Sequence, residues 1–147
     1  MVRVNIINPR KLSDQHLIAE YNEILMLLGY VKKNPFFNIL EIPENYVLGK
    51  GHIKFFKNKL QYLKNRHNSI KEEMNKRGFN TNKSVDLKGI DKKLINDWSP
   101  KKQDIEKISE RIIYKINLKP YFYRYYGEYK GGKFFISLLN KEHFPIS

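Results

Sequence analysis

The segment from Ile53 to Met74 has the most regular hydrophobic pattern in the chain, and it limits the possible folds more than any other feature. Its apolar and aromatic positions are spaced alternately by three and four residues: Ile53, Phe56, Leu60, Leu63, His67, Ile70 and Met74. Lys, Arg, Asn and Glu occupy most of the positions between them. This spacing places one apolar stripe along one face of an α-helix. We predict a long amphipathic helix that ends at Gly78 and buries its stripe against other elements.

Two other segments have helical spacing and recognisable ends. The first begins at Ser13, an N-cap residue, and is predicted to stop at Gly29. Its apolar face consists of Leu17, Tyr21, Ile24 and Leu28. The other begins at Ser99-Pro100, a cap followed by a first-turn proline, and must end before Pro120. Its apolar face consists of Ile105, Ile108, Ile112 and Ile116.

The remaining segments are predicted to connect and cover these three helices. Residues 1–8 alternate only weakly and are predicted to be an extended segment threaded between the helices. The run Tyr121–Gly127 contains five aromatic residues and predicts a long aromatic loop, and Gly131-Gly132 favours a small hairpin within residues 128–139. We therefore predict one compact all-α domain over residues 1–147, with residues 133–147 as a candidate extra tail.

The charge balance points to a polyanionic partner. The chain has 28 Lys and Arg against 15 Asp and Glu, a net charge of +13. Nucleic acid is the commonest partner of so basic a protein, with an anionic membrane surface second. An aromatic content of 14% favours nucleic acid, because flat side chains stack on exposed bases. A generally basic, soluble surface is the plainest alternative.

Several classes of protein are excluded or disfavoured by composition. The chain has no cysteine, which excludes disulfides, thiol catalysis and the usual structural zinc site. No His, Asp or Glu spacing suggests another metal site. It has no run of eighteen apolar residues and no signal-peptide pattern at its start, so we expect no membrane partner and a cytoplasmic or nucleoid-associated location.

The beginning of the chain combines groups that could perform chemistry. A free α-amine has a pKa of about 7.7–8.0, against about 10.4 for a lysine, so it is more often uncharged and nucleophilic near neutral pH. His16, Glu20 and Glu23 are offset by four and three residues and share one helix face. A carboxylate held beside such an amine supports Schiff-base chemistry on a sugar aldehyde. The simpler interpretation, two surface glutamates and a core-edge histidine, stays open.

Basic and aromatic residues later in the chain could bind DNA. Arg111 and Lys115 lie one turn apart on the third predicted helix. Together with Arg3, Lys119 and Arg124, they are candidates for a groove that follows phosphates. Ordinary solvated helix charge is the alternative. The aromatic run either stacks on bases or packs into the core, and the sequence leaves both interpretations open.

A series of short motifs also occurs in order along the chain: Arg3-Val4-Asn5, Asp14-Gln15-His16-Leu17, Ala19-Glu20-Tyr21 with Glu23, Leu48-Gly49, Gly51-His52, Phe55-Phe56, Lys59-Leu60, Lys76 to Asn80, Arg111, Lys115, and Lys119 to Gly127. Together they resemble the phage-type pyrimidine-dimer DNA glycosylases with abasic-site lyase activity, often called endonuclease V of the dimer-repair kind. The likeness covers most of the chain, and residues beyond about 132 extend past the usual end of the family.

The resemblance implies a mechanism and its residues. After removal of Met1, the amine of Val2 attacks C1′ of the damaged nucleotide, displaces the base and forms an imine. Glu23 stabilises the positive charge and assists the β-elimination that breaks the strand. No metal or other cofactor is implied, and the partner is double-stranded DNA containing lesions or abasic sites, bound by a monomer. The implied DNA contacts are Arg3, His16, Tyr21, Asn22, Arg111, Lys115, Lys119, Tyr123, Arg124, Tyr125 and Tyr126.

Three positions depart from the family pattern. Residue 2 is Val where the family has Thr, which chemistry at the main-chain amine tolerates. Asn22 and Met26 stand where the family has arginines that clasp the lesion strand. These two differences leave open the same chemistry on a different damaged or modified base. A non-catalytic basic DNA-binding protein is the alternative from another class.

Overall fold

The fold is all-α, as predicted, in the computed structural model, which describes residues 3–36 and 38–141. Within these residues there are five α-helices and one two-stranded antiparallel sheet. The helices are α1 (Asp14–Lys33), α2 (His52–Phe56), α3 (Leu60–Lys76), α4 (Lys102–Leu118) and α5 (Gly132–Leu139), and the strands are β1 (Arg124–Tyr125) and β2 (Glu128–Tyr129). Short 3-10 turns occur at Pro9–Lys11, Ile39–Glu41 and Lys92–Leu94.

Helix α1 begins as the sequence predicts and ends later. The Ser13 hydroxyl caps the helix by accepting a hydrogen bond from the main-chain N–H of His16 at 3.1 Å. The predicted stop at Gly29 is wrong, because the apolar stripe continues to the buried Val31 and the helix ends only before Pro35. A glycine inside a helix costs only about 1 kcal/mol, which burial of the next turn offsets.

The predicted long second helix is divided in two. Helices α2 and α3 are separated by a turn at residues 57–59, although the apolar spacing continues through it. Asn96, from a distant loop, supplies the hydrogen bonds that the interrupted helix lacks. Its side-chain N–H donates to the carbonyl of Asn58 at 2.9 Å, and its own carbonyl accepts from the N–H of Tyr62 at 3.2 Å. Helix α3 packs along α1, and the two form the centre of the core.

The segment before α1 is extended and buried. Residues 3–8 have no regular secondary structure, and Val4, Ile6 and Ile7 belong to the core. The guanidinium of Arg66 on α3 donates to the carbonyl of Ile7 and forms an ion pair with Glu20 on α1, with Nε and Oε2 2.7 Å apart. The start of the chain is therefore held directly against the two central helices.

The chain reverses earlier in the C-terminal region than predicted. The expected hairpin around Gly131-Gly132 is wrong, because the turn lies at Tyr126-Gly127, between β1 and β2. Both turn residues have positive φ, 53° and 80°, as a two-residue hairpin loop requires. The Asp14 carboxylate accepts from both of their N–H groups, at 3.1 and 2.8 Å, and so stabilises this conformation.

The two predicted turn glycines instead begin α5. A Cβ on Gly132 would lie 3.4 Å from side-chain atoms of Ile116 and Pro120, so the glycine allows α5 to approach α4 closely. Phe135 then enters the core. Residues 133–139 of the candidate extra tail are thus packed against the rest of the protein, whereas residues 142–147, with His143, lie outside the described residues.

Candidate active site

A cavity of about 310 Å³ lies between the extended N-terminal segment, α1 and α4. Its walls combine one carboxylate, one imidazole and three cationic side chains with smaller polar and apolar groups. The lining residues are Arg3, Asn5, His16, Ala19, Glu23, Arg111, Ile112 and Lys115. Five residues that were predicted from the sequence as site residues, in three separate segments, therefore line the same cavity.

Glu23 projects from α1 into this cavity and is half-buried. The main-chain N–H of Arg3 donates a hydrogen bond to its carboxylate. Burial raises the pKa of Glu23, while that hydrogen bond and the Arg3 guanidinium act in the opposite direction. A carboxylate whose basicity is raised by burial is suited to accept a proton, and one that faces cations is suited to stabilise positive charge.

His16 forms the end of the cavity towards the start of α1. Its Nδ1 is 2.8 Å from the Ser13 hydroxyl oxygen, and its ring stacks on that of Tyr123 with centroids 4.8 Å apart. Burial, together with the charge of Lys115, lowers the pKa of His16 to about 4. At neutral pH the imidazole is therefore uncharged, and it can contact a phosphate by hydrogen bonding rather than as a cation.

Three cationic side chains line the cavity. Arg111 and Lys115 come from successive turns of α4, and Arg3 from the N-terminal segment. Burial, together with the charge of Arg111, lowers the pKa of Arg3. Such a concentration of positive charge in a concave surface favours a polyanion.

A second cavity, of about 320 Å³, lies between the N-terminal segment and α3. Two of the charged groups that line it are already engaged in buried ion pairs, Arg66 with Glu20 and Glu73 with Arg77. We therefore assign these groups to the stability of the fold and take the first cavity as the candidate site.

The comparison with known families agrees with this geometry. A family model described as pyrimidine dimer DNA glycosylase matches residues 1–87, more than half of the 147 residues. The chain belongs to this family. Its activity is that of a DNA glycosylase, and its substrate is DNA. The match covers the N-terminal segment and helices α1 to α3, while α4, which carries Arg111 and Lys115, lies beyond it.

The glycosylase has an exposed aromatic and basic surface along the end of α4 and the following residues. Four cationic groups lie over aromatic rings there. They are Arg111 over Tyr114, Lys119 over Phe122, Arg124 over Tyr129 and Lys130 over Phe134, at 5.7, 5.1, 5.5 and 5.5 Å from the ring centroids. Tyr114, Phe122 and Tyr129 are all exposed. The members of the aromatic run are divided: Tyr123 packs into the core, as one of the two interpretations predicts, while Tyr121, Phe122 and Tyr126 are exposed.

The other residues that were predicted to contact DNA lie outside the cavity. Tyr21 and Tyr123 are buried, with 6% and 8% of their surface exposed, so they offer little area to DNA. The Tyr21 hydroxyl accepts from the main-chain N–H of Lys83 at 2.8 Å, and the ring of Tyr123 stacks on that of His16. Asn22, Lys119, Arg124 and Tyr126 are exposed, Tyr125 is half-buried, and none of the five lines the cavity. Val2 lies outside the described residues.

Sequence reasoning missed the residues that hold the site together. Asn5 and Ala19 belong to the motifs quoted above and Ile112 to the apolar face of the third predicted helix, but none of the three was predicted to line a site. Tyr46 and His52 bind the main chain next to Arg3, and only the Gly51-His52 motif gave a hint of this. His67 is a core residue, as expected, but only Nε2 is bonded, to the carbonyl of Tyr21, while Nδ1 has no hydrogen-bond partner.

Two further findings concern metal sites and membrane-spanning helices. Among residues 3–36 and 38–141, no group of three or more His, Asp or Glu side chains is arranged to hold a metal ion. In the same part of the chain, no helix is both long and apolar enough to cross a bilayer.

Proposed function

We propose that this glycosylase is also an abasic-site lyase, and that it acts at UV-induced pyrimidine dimers through the main-chain amine of residue 2. The observation that carries the proposal is the hydrogen bond from the main-chain N–H of Arg3 to the Glu23 carboxylate, inside a cavity lined by cations. It brings the beginning of the chain and an acidic side chain into one polyanion-binding site.

Covalent geometry supports the choice of nucleophile. Three bonds connect the nitrogen of residue 2 to that of Arg3, and their lengths sum to about 4.3 Å. The hydrogen bond from the Arg3 nitrogen to Glu23 therefore supports the choice of the amine one residue earlier in the chain as the nucleophile. An α-amine is also far more often uncharged at neutral pH than the lysines nearby. Removal of Met1 is required for this amine to exist.

The proposed reaction proceeds in two stages. In the first, the amine forms a bond to C1′, the N-glycosidic bond breaks, and the base leaves with the bonding electrons and takes up a proton. Opening of the deoxyribose ring then gives an imine between the amine and C1′. In the second stage, a proton is removed from C2′, the C3′–O bond breaks, and the phosphate departs. Glu23 stabilises the positive charge and receives the C2′ proton.

The surrounding residues bind the strand. Arg3, Arg111 and Lys115 are the groups best placed to contact phosphates at the cavity, and the uncharged His16 can add a hydrogen bond. The exposed rings beyond α4 would extend the contact along the duplex. This scheme requires no metal or organic cofactor.

The role of Glu23 is tested with Glu23→Gln. We expect the variant to bind abasic-site duplex with nearly unchanged affinity and to lose most strand cleavage, by roughly 100-fold or more, because the amide cannot accept the proton. Binding is measured by fluorescence anisotropy and cleavage by single-turnover gel assay. Glu72→Gln, an exposed carboxylate on α3, is the matched control and should behave as wild type. Cleavage by Glu23→Gln at the wild-type rate would refute the assignment.

The nucleophile is tested by borohydride trapping on abasic-site duplex. Protein whose first residue is Val2, verified by mass spectrometry, is expected to give a covalent adduct that peptide mapping assigns to residue 2. Protein that retains Met1 should give much less, because the amine is displaced by one residue. An adduct mapped to a lysine, or equal trapping by both forms, contradicts the proposal. The absence of any adduct favours the non-catalytic alternative.

A panel of substrates tests the lesion. Duplexes with a cyclobutane dimer, an abasic site or no damage are compared under single-turnover conditions. Cleavage of the dimer and of the abasic site, but not of the undamaged duplex, is expected. Cleavage of the abasic site alone would favour the same chemistry on a different damaged or modified base, the alternative that Asn22 and Met26 raised.

A further inference from the structure

The peptide groups of Val4 are held by two side chains from outside the N-terminal segment. Its N–H donates to Nε2 of His52 at 2.9 Å, and its carbonyl accepts from the Tyr46 hydroxyl at 3.0 Å. Val4 itself is fully buried, and its main chain is one residue from Arg3. Both hydrogen-bonding groups of Val4 are therefore fixed between Arg3 and Asn5, the two residues of this segment that line the cavity.

The histidine of this pair is fixed in one chemical form. Its Nδ1 donates to the carbonyl of Val47 at 2.8 Å, which leaves Nε2 unprotonated and able to accept from Val4. Burial lowers the pKa of His52 to about 4, and Arg3 contributes in the same direction while the Val47 hydrogen bond opposes it. The imidazole is thus an obligatory acceptor at neutral pH.

The tyrosine of the pair is anchored to the same walls as the cavity. Its main-chain carbonyl accepts from Nζ of Lys107 on α4 at 3.1 Å, one turn before Arg111. Its ring lies against those of His52, Phe55 and Trp98. Tyr46 and His52 therefore connect the N-terminal main chain to α4 and to a rigid aromatic cluster.

A strained turn two residues after Val4 limits movement of the N-terminal segment along its own direction. Ile6 has a φ of 51°, in the left-handed region that β-branched residues avoid, and the N–H of Ile7 donates to the carbonyl of Asn5 at 2.6 Å across it. Such strain persists only where the surroundings determine the conformation. Arg66, bonded to the carbonyl of Ile7, is one such determinant.

We infer that Tyr46 and His52 are positioning residues for the reaction, fixing the main chain so that the amine of residue 2 meets C1′ beside Glu23. The inference rests on the proposed function, because it assigns these side chains a role through that amine. Neither side chain is among the residues that line the cavity, so neither is assigned a contact with DNA. Their effect is on the chemical step, where a misplacement of about 1 Å can lower a rate roughly 100-fold.

Three variants separate positioning from general stability. Tyr46→Phe removes only the hydroxyl that binds the carbonyl of Val4. His52→Asn keeps an N–H placed like Nδ1, for Val47, and removes the acceptor for Val4. His52→Gln keeps an oxygen placed like Nε2, and so retains that acceptor. Tyr62→Phe is the matched control, because Tyr62 belongs to the same aromatic cluster and no hydrogen bond joins its hydroxyl to the described N-terminal residues.

The measurement uses the full chain with Met1 removed and abasic-site duplex at saturation. The single-turnover rate of borohydride-trapped adduct is compared with the dissociation constant for the same duplex, and thermal unfolding confirms that each variant is folded. We expect Tyr46→Phe and His52→Asn to lower the trapping rate by roughly 10- to 100-fold while affinity stays within about threefold of wild type. His52→Gln and Tyr62→Phe are expected to trap at close to the wild-type rate.

The outcomes distinguish this inference from the proposed function. If wild type forms the residue 2 adduct and Tyr46→Phe traps equally fast, the inference is wrong and the proposed function stands. Equal losses in Tyr46→Phe and Tyr62→Phe, or a parallel fall in rate and affinity, overturn it in favour of a purely structural role. If wild type forms no adduct at residue 2, the proposed function fails first, and the positioning role fails with it.

Discussion

At the scale of single residues, burial affects the pKa values of the histidines more than their neighbours in sequence do. His16, His52 and His67 lie in three different elements, and burial lowers the pKa of each, to about 4 for the first two. Each is hydrogen-bonded to the main chain or to a hydroxyl group. In all three cases the fold therefore favours an uncharged imidazole, and protonation works against the folded state.

We predict that the protein loses stability in acid through these histidines. A folded pKa of about 4 for His52, against about 6.5 when unfolded, means that the unfolded chain binds more protons between these values. The stabilisation is fully present above pH 6.5 and declines as the pH falls towards 4. Between pH 7 and 5, His52 alone should lower the free energy of unfolding by about 2 kcal/mol.

Urea unfolding at several pH values tests this prediction. The difference in stability between wild type and His52→Gln should narrow by about 2 kcal/mol from pH 7 to 5, because the variant has no imidazole to protonate. Between pH 7 and 8 the difference should change by no more than about 0.2 kcal/mol, since His52 is uncharged in the folded state and mostly uncharged in the unfolded state there, which provides the internal control. Parallel curves over the whole range would contradict the depressed pKa.

At the scale of elements, α1 carries both the proposed catalytic carboxylate and the positions nearest to it on the exposed surface. Asn22 precedes Glu23 directly, and Met26 follows it by about 4.5 Å along the helix axis. Both are exposed, and Met26 has 61% of its surface accessible. The Asn22 side-chain N–H donates to the carbonyl of Ile18, within the same helix, at 3.2 Å. This face of α1 therefore offers a strand no positive charge.

We predict that the double variant Asn22→Arg with Met26→Arg binds dimer-containing duplex more tightly and with steeper salt dependence. Each new phosphate contact should add about 0.9 to the magnitude of the slope of log K against log[salt]. Asn68→Arg, at an exposed position on α3 outside the cavity, is the control for added charge. Because the double variant adds two charges and the control adds one, an equal change of slope per added charge would show that net charge, rather than this face of α1, is responsible.

The elements also show where the sequence predicts structure and where it does not. Ser13 could be identified as a cap because its partner, the N–H of His16, is three residues away. The division between α2 and α3 could not, because Asn96, which stabilises it, lies more than thirty residues further along the chain. Local partners leave a signal in the sequence, whereas a tertiary partner leaves none when the apolar period continues unchanged.

The residues of the candidate site divide in the same way, into those that the sequence predicts and those that depend on distant partners. Arg111 and Lys115 could be paired from their spacing on one helix, and the structure brings them to the cavity. Tyr46 and His52 could not be connected to Val4 from the sequence, because 42 and 48 residues separate them from it. Groups with distinctive chemistry were therefore recognised, while the residues that position the main chain became visible only with the fold.

At the scale of the whole molecule, positive charge is concentrated on the surface. Three acidic side chains, Asp14, Glu20 and Glu73, are buried in ion pairs with Arg66 or Arg77. Three carboxylates against two guanidinium groups leave this buried network with a charge of −1, so the net charge of +13 comes from groups outside the network. The same buried network orders the aromatic segment, because Asp14 also binds the turn at residues 126–127.

The salt dependence of DNA binding tests how much of this charge acts at the cavity. If about five phosphates are neutralised, log K should fall with log[salt] with a slope of roughly −4.5. Removing one phosphate contact with Arg111→Ala or Lys115→Ala should weaken binding and reduce the magnitude of the slope by about 0.9, and the double variant by about 1.8. Lys64→Ala, exposed on α3, removes the same charge outside the cavity and should leave the slope unchanged. Since all three single variants have the same net charge, a slope that changes equally in each would assign binding to the overall field, and a slope that changes in none of them would put the phosphate-binding surface elsewhere.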